Sequence, residues 1–206
     1  MGRTSKSPTS LVIAAAVLGV AAMAIGFLVY FEDDRPASAE TIVSGTSPAP
    51  IARDRLVRHL ERAPRDGRSR VLLARMDFEA DRFADAAVGY ERALATDAKV
   101  ARDPTIWCEY ADALGMAQGG SLVGKPRELV MAALALNPGH PKSLEMAGSA
   151  AFEAGEYASA ARYWRQLLPQ LAEGTKERLE LAAAVARADE LVLATAANSI
   201  KAGVAN

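Results

Sequence analysis

Between residues 137 and 164 the chain reads Asn-Pro-Gly-His-Pro-Lys-Ser-Leu-Glu-Met-Ala-Gly-Ser-Ala-Ala-Phe-Glu-Ala-Gly-Glu-Tyr-Ala-Ser-Ala-Ala-Arg-Tyr-Trp, with apolar residues three and four apart on both sides of Gly155. That spacing predicts two amphipathic helices joined by a turn, because residues three and four apart share one helix face. Gly155 is expected to end the first helix, where a left-handed backbone costs glycine little. Leu144, Ala147 and Gly148 mark the buried stripe of the first helix, and Tyr157, Ala160 and Trp164 that of the second.

The pattern returns at a step of 37 residues. Ala111 stands 37 positions before Gly148 and brings Trp107, Tyr110 and Leu114 with it. Ala74 stands 37 positions earlier again, preceded by Leu73 and followed by Phe83, Ala86, Tyr90, Ala93 and Leu94, a complete second helix. Arg70 and Asp77 fall where large apolar side chains are wanted, so the first helix of this repeat reads as degenerate. Between Leu114 and Ala133 the Gly-rich run from Gly115 to Pro126 is longer than a tight hairpin needs. Ile51 to Ala63 reads as a short amphipathic helix with Leu56, Val57 and Leu60 on one side, closed by Pro64. A last helix is expected from Thr175 onwards, with Leu179, Ala182, Ala183, Val185 and Ala186 as its apolar stripe.

These offsets resemble the tetratricopeptide (TPR) repeat, whose usual period is about 34 residues, so the connections here carry extra length. The expected fold is all-α: a TPR helical-hairpin solenoid of about three repeats plus capping helices, with one N-terminal transmembrane helix. A single hairpin cannot bury its apolar face alone, and stacked hairpins form a groove that can hold another polypeptide.

The transmembrane expectation rests on residues 11–31, which contain no charge and are long enough to cross a ~30 Å hydrocarbon core. Arg3 and Lys6 precede the run and Glu32, Asp33 and Asp34 follow it, which puts residues 1–10 in the cytoplasm and the rest across the membrane. Cleavage after Ala39 is the rival reading, since Ala37-Ser-Ala39 has the small-x-small form. Residues 32–50 are poor in apolar side chains and read as a flexible linker, 51–193 as a periplasmic TPR domain, and 194–206 as a C-terminal tail. Beyond residue 31 there are 22 basic and 25 acidic residues, a slightly acidic balance that does not suggest nucleic acid.

Catalytic and cofactor motifs are weak. Gly119-Gly-Ser-Leu-Val-Gly124-Lys125 matches a phosphate-binding loop until Pro126, which stands where Ser or Thr must hold magnesium. His59 and His140, the two histidines, have no spacing that builds a metal site. Cys108 is the lone cysteine and reads as a small buried or groove-lining hydrophobe rather than a reactive thiol. No nucleophile, base and oxyanion set is recognisable, so the reading is a non-enzyme without cofactor.

A groove of this kind is lined by the first helices. Counting from Ala74, Ala111 and Gly148 selects Val71, Arg75, Phe78, Cys108, Asp112, Met116, Lys142, Glu145, Ser149 and Phe152, flanked by Arg68, Glu79, Thr105 and Glu153. Apolar patches with charges of both signs suit an amphipathic helix or an extended tail. Glu79 and Glu153 read as solvated. Phe78 and Phe152 read as client contacts or, with the helix phase shifted by one residue, as inward-facing side chains; on the first reading, truncating Phe152 should weaken client binding without unfolding the domain.

Read together, Leu60-Glu-Arg-Ala-Pro-Arg-Asp-Gly67, Tyr110-Ala-Asp-Ala-Leu114, Met116-Ala-Gln-Gly-Gly120 and Leu134-Ala-Leu-Asn-Pro-Gly-His-Pro-Lys142 resemble the periplasmic TPR domain of the cytochrome c maturation chaperones, the CcmI/CycH group, over residues 51–190. The resemblance implies an anchor in the bacterial inner membrane and a c-type cytochrome biogenesis role. The client would be the C-terminal segment of apocytochrome c or of a related haem protein, presented to the membrane haem-ligation complex. Members often have two transmembrane helices with a cytoplasmic loop between them, and this chain has one hydrophobic span, so nothing assigned to that loop carries over. A general membrane-anchored periplasmic adaptor for secretion or envelope assembly is the alternative.

Overall fold

The computed structural model describes residues 48–204, and the described helices fall in one compact unit, 46–206. The expected transmembrane run, residues 11–31, and nearly all of the 32–50 linker lie outside the described residues. No helix among the described residues is long and apolar enough to cross a membrane.

Among the described residues eight α-helices follow one another: α1 Pro48–Arg62, α2 Gly67–Glu79, α3 Phe83–Thr96, α4 Pro104–Ala117, α5 Lys125–Leu136, α6 Pro141–Glu153, α7 Tyr157–Leu167 and α8 Lys176–Val204. Short 3-10 turns stand at Val100–Arg102 and Leu168–Gln170. Helices α2 and α3, α4 and α5, and α6 and α7 form three hairpins, and each hairpin packs on the next. Their first helices begin at Gly67, Pro104 and Pro141, 37 residues apart, as the sequence spacing predicts.

Local chemistry sets the helix starts. The Asp66 carboxylate accepts from the Ser69 amide at 3.0 Å and the Ser69 hydroxyl at 2.8 Å, capping α2. Asp103 accepts from the Thr105 amide at 2.9 Å ahead of Pro104, and the His140 ring accepts from the Ser143 amide at 3.3 Å ahead of Pro141. Proline belongs at such first positions because its missing N–H has no partner there to lose.

Helices α2 and α6 end alike. The Arg82 amide donates to the Asp77 carbonyl and the Glu156 amide to the Ala151 carbonyl, both at 2.8 Å. The residue in the left-handed region is Gly155 in one turn, at φ +75°, and Asp81 in the other, at φ +57°. The middle repeat spends its extra length in the loop after α4, where Gly119, Gly120 and Gly124 all have positive φ. The first repeat carries its extra length in the 97–103 connection instead.

Small residues fill the helix crossings: Ala74, Ala86, Ala93, Ala111, Ala133, Ala160 and Ala161 are fully buried. A Cβ on Gly89 would stand 2.8 Å from that of Ala74, so the first hairpin closes only with a glycine there. Tyr90 and Trp164 occupy the core as large buried rings.

Two expectations are corrected, the apolar stripe of the last helix and the place of Asp77. Helix α8 buries Leu181, Val185 and Ala188, whereas Leu179, Ala182, Ala183 and Ala186 are exposed. Arg178 sets that phase by donating to the carbonyls of Leu168 at 2.6 Å and Leu171 at 2.9 Å, which turns its neighbour Leu179 outward. The same helix continues through residue 194 to Val204, so the segment after 193 begins as helix. Finally, Asp77 does not degrade its repeat. It is buried at 5% exposure and accepts from Arg53 Nε at 2.9 Å and from Arg82 Nη2 at 2.7 Å, which ties α1 to the first hairpin.

Candidate functional site

The first helices α2, α4 and α6 present the sequence-selected positions in columns 37 residues apart, and the structure gives these positions different fates. Arg68, Arg75, Thr105, Met116, Glu79 and Glu153 are exposed. Asp112, Lys142, Glu145 and Ser149 are half-buried, and Val71 and Cys108 are buried.

Charged side chains link neighbouring first helices. Arg75 on α2 grips Glu109 on α4 through Nε to Oε2 at 2.9 Å and Nη2 to Oε1 at 2.7 Å. A two-point guanidinium and carboxylate pair fixes direction as well as distance. Lys142 on α6 lies 3.8 Å from Asp112 on α4 and 3.6 Å from Glu145. Burial pulls its ammonium pKa down, but Glu145 and Asp112 outweigh that and hold it above its ordinary value. Away from these positions, Arg127 grips Glu156 at 2.6 and 2.5 Å, and Arg165 pairs with Asp189.

Cys108 is part of a hydrogen-bond chain. Its Sγ lies 3.1 Å from Ser143 Oγ, which lies 2.8 Å from His140 Nδ1, and His140 Nε2 lies 3.5 Å from Thr105 Oγ1. Because the Ser143 amide donates to Nδ1, that nitrogen accepts, and the chain runs consistently from the thiol to Ser143 to His140. Burial pushes the thiol up to about 11, so Cys108 is a neutral donor inside the stack. His59, the other histidine, bonds Asp66 at 2.7 Å beside the α2 cap.

Phe78 and Phe152 are half-buried and turned into their own hairpins. Phe78 meets Phe83 edge-on at 5.1 Å, and Phe152 meets Tyr157 at 5.2 Å and Trp164 at 5.7 Å. Each aromatic finds its partner across the turn that follows it, so both rings help to close their hairpins while staying part-exposed. Glu153, exposed as the sequence suggested, also makes a contact across the stack. It accepts from Ser121 Oγ at 2.5 Å and the Leu122 amide at 2.9 Å, so it fastens the glycine-rich loop to the third repeat.

Two clefts open beside these helices. One, of about 250 Å³, brings together Arg68, Val71 and Arg75 from α2 with Lys99, Val100 and Asp103 from the connection and Ile106 from α4. Val71, Val100 and Ile106 are buried and form an apolar floor under a rim of three cations and one carboxylate. The second, of about 310 Å³, lies at the turn end, where Met116 and Ala117 face residues 81–85. Sequence spacing found Arg68, Val71 and Arg75 but missed Lys99, Val100 and Ile106, and it missed Glu109. The first two belong to a connection outside the repeat pattern, although Asp97-Ala-Lys-Val ahead of Asp103-Pro104 carries the turn chemistry that could have located it.

In sequence the chain is similar to the cytochrome c-type biogenesis protein CycH of Pseudomonas aeruginosa, at 30% identity over 146 residues, 69% of this chain and 35% of the relative. The chain therefore spans about a third of that relative's length. No family model matches. In structure it is similar to two crystal structures of MamA, one at a TM-score of 0.54 over 70% of this chain and 77% of that one, the other at 0.51 over 74% and 98%, each at 14% identity. At that identity the likeness shows the fold alone.

Proposed function

We propose that this chain, a homologue of the cytochrome c-type biogenesis protein CycH with a TPR-like helical solenoid, serves c-type cytochrome biogenesis as a binding scaffold rather than an enzyme. Its client is a segment of apocytochrome c, which the solenoid holds and presents to the haem-ligation complex of the membrane. The chain is anchored by residues 11–31 in the inner membrane with residues 51–193 in the periplasm, and it needs no cofactor of its own.

The observation that carries the reading is the cleft between α2, the 97–103 connection and α4. An apolar floor of Val71, Val100 and Ile106 takes one or two apolar side chains of a client helix, and Arg68, Lys99 and Arg75 meet carboxylates beside them. Arg75 is already oriented by Glu109, so little ordering is required on binding. Lys142, Asp112, Glu145 and Ser149 continue the surface onto the third repeat with charges of both signs, which set the register of the client.

The test is binding of the 46–206 unit to C-terminal helix peptides of c-type cytochromes from the same organism, beside scrambled peptides. Selective binding at micromolar or tighter affinity, weakened by Val71→Asp and by Arg68→Glu, is the expected result. Equal affinity for scrambled peptides would overturn the client assignment and leave a general membrane-tethered adaptor.

A further inference from the structure

We propose that the outer face of α1 is a docking surface for anionic lipid headgroups. The inward face of this helix is committed: Leu60 is buried, Leu56 and Val57 are half-buried, and Arg53 bonds Asp77. Opposite them, Ile51, Arg55, Arg58 and Arg62 recur at steps of four, three and four residues, which stacks them in one stripe about 16 Å long. All four are exposed. Among the described residues no carboxylate pairs with Arg55, Arg58 or Arg62, and the one side-chain bond in the stripe runs from Arg62 to the Arg58 carbonyl. Asp54 and Glu61 border the stripe on one flank, and Arg65 and Arg68, both exposed, follow it into the start of α2.

A guanidinium stripe on a domain with 21 basic and 21 acidic residues over 51–206 is a local feature, and its charge is complementary to phosphate headgroups, which guanidinium meets with two hydrogen bonds. Ile51, 43% exposed at the linker end of the stripe, is a large apolar side chain that can enter the boundary between headgroups and acyl chains. The proposal rests on the anchored reading for its setting. On that reading the chain is tethered to the bilayer, where a weak charge attraction suffices at high effective concentration. Docking in this way would orient the solenoid on the membrane and leave the α2 to α4 cleft for a client.

The experiment is vesicle co-sedimentation of the 46–206 unit, which contains the described core without the anchor, on phosphatidylcholine vesicles with and without phosphatidylglycerol. The wild-type unit is expected to partition onto the phosphatidylglycerol vesicles and to be released by salt. The triple variant R55Q/R58Q/R62Q should lose at least about tenfold in partition with an unchanged circular dichroism spectrum, and R55K/R58K/R62K should retain binding. No preference for the anionic vesicles, or equal partition of the wild type and the glutamine variant, would overturn the proposal, including in favour of an acidic protein as occupant. Peptide binding by the same glutamine variant separates the two readings, because these arginines do not line the client cleft. Retained peptide binding with lost vesicle binding supports the stripe, and lost peptide binding with retained vesicle binding overturns it and also counts against the α2 to α4 cleft as the client site.

Discussion

The indole of Trp164 fills the space that a Cβ on Gly148 would need, and its Nε1 donates to the Glu145 carbonyl at 3.3 Å. The third hairpin therefore closes on a glycine opposite the largest side chain in its core. Gly148→Ala puts a methyl group into a rigid ring rather than into the end of a flexible chain. It should cost about 2–3 kcal/mol in urea unfolding, because overpacking displaces neighbours that cannot yield. The double variant with Trp164→Leu should lose less than the sum of the single losses, since the two positions contend for one volume.

Asp77 holds α1 to the first hairpin through Arg53 and Arg82. Asp77→Asn should cost about 1–2 kcal/mol, less than a fully buried pair because both arginines are partly solvated. The local signature is release of α1, read as faster tryptic cleavage after Arg53, Arg55 and Arg58 while the rest of the solenoid stays resistant. Unchanged cleavage would show that Leu60 and its neighbours hold the helix without the ion pairs.

Asp81 occupies the left-handed position that Gly155 fills in the third repeat. Asp81→Gly removes the Cβ crowding of that conformation and should raise stability by about 0.5–1 kcal/mol, visible as a higher melting temperature. Gly155→Asp should shift it the other way.

Cys108 is a buried donor to Ser143, and burial raises its thiol from 9.0 to about 11. A raised folded value means that the contribution of the neutral thiol is complete below pH 9 and is lost as pH climbs from 9 towards 11. Between pH 8 and pH 10.5 the wild type should therefore lose more stability than Cys108→Ala. Thiol-reagent labelling of the native protein at pH 8 should be far slower than of the unfolded chain, and equal labelling rates would contradict the buried placement.

Phe152 bridges Tyr157 and Trp164 inside the third hairpin. Phe152→Ala should lower stability by about 2 kcal/mol, below the range for a fully buried ring because Phe152 is half-exposed. Weaker peptide binding without a change in stability would place it on the client surface.

The repeat register was legible in the chain because it is a local property. Residues three and four apart share a helix face whatever lies beyond, and Asp66, Pro104, Pro141 and Gly155 act on backbone groups within a turn or two. The three hairpins, their 37-residue step and the long middle loop follow from that alone. The α2 side of the proposed client cleft, namely Arg68, Val71 and Arg75, was legible for the same reason. Only the tertiary structure decided where side chains distant in sequence would meet. Asp77 becomes a buried anchor because Arg53 arrives from another helix, and Arg75 is oriented because Glu109 stands on the next repeat. Lys99, Val100 and Ile106 complete the cleft because the 97–103 connection folds back against α2. Phe78 and Phe152 turn inward, and α8 rotates Leu179 outward around the Arg178 bonds, because the phase of a helix is fixed by its best fit to a neighbour. Amphipathic spacing fixes which residues share a face, and packing fixes where that face points.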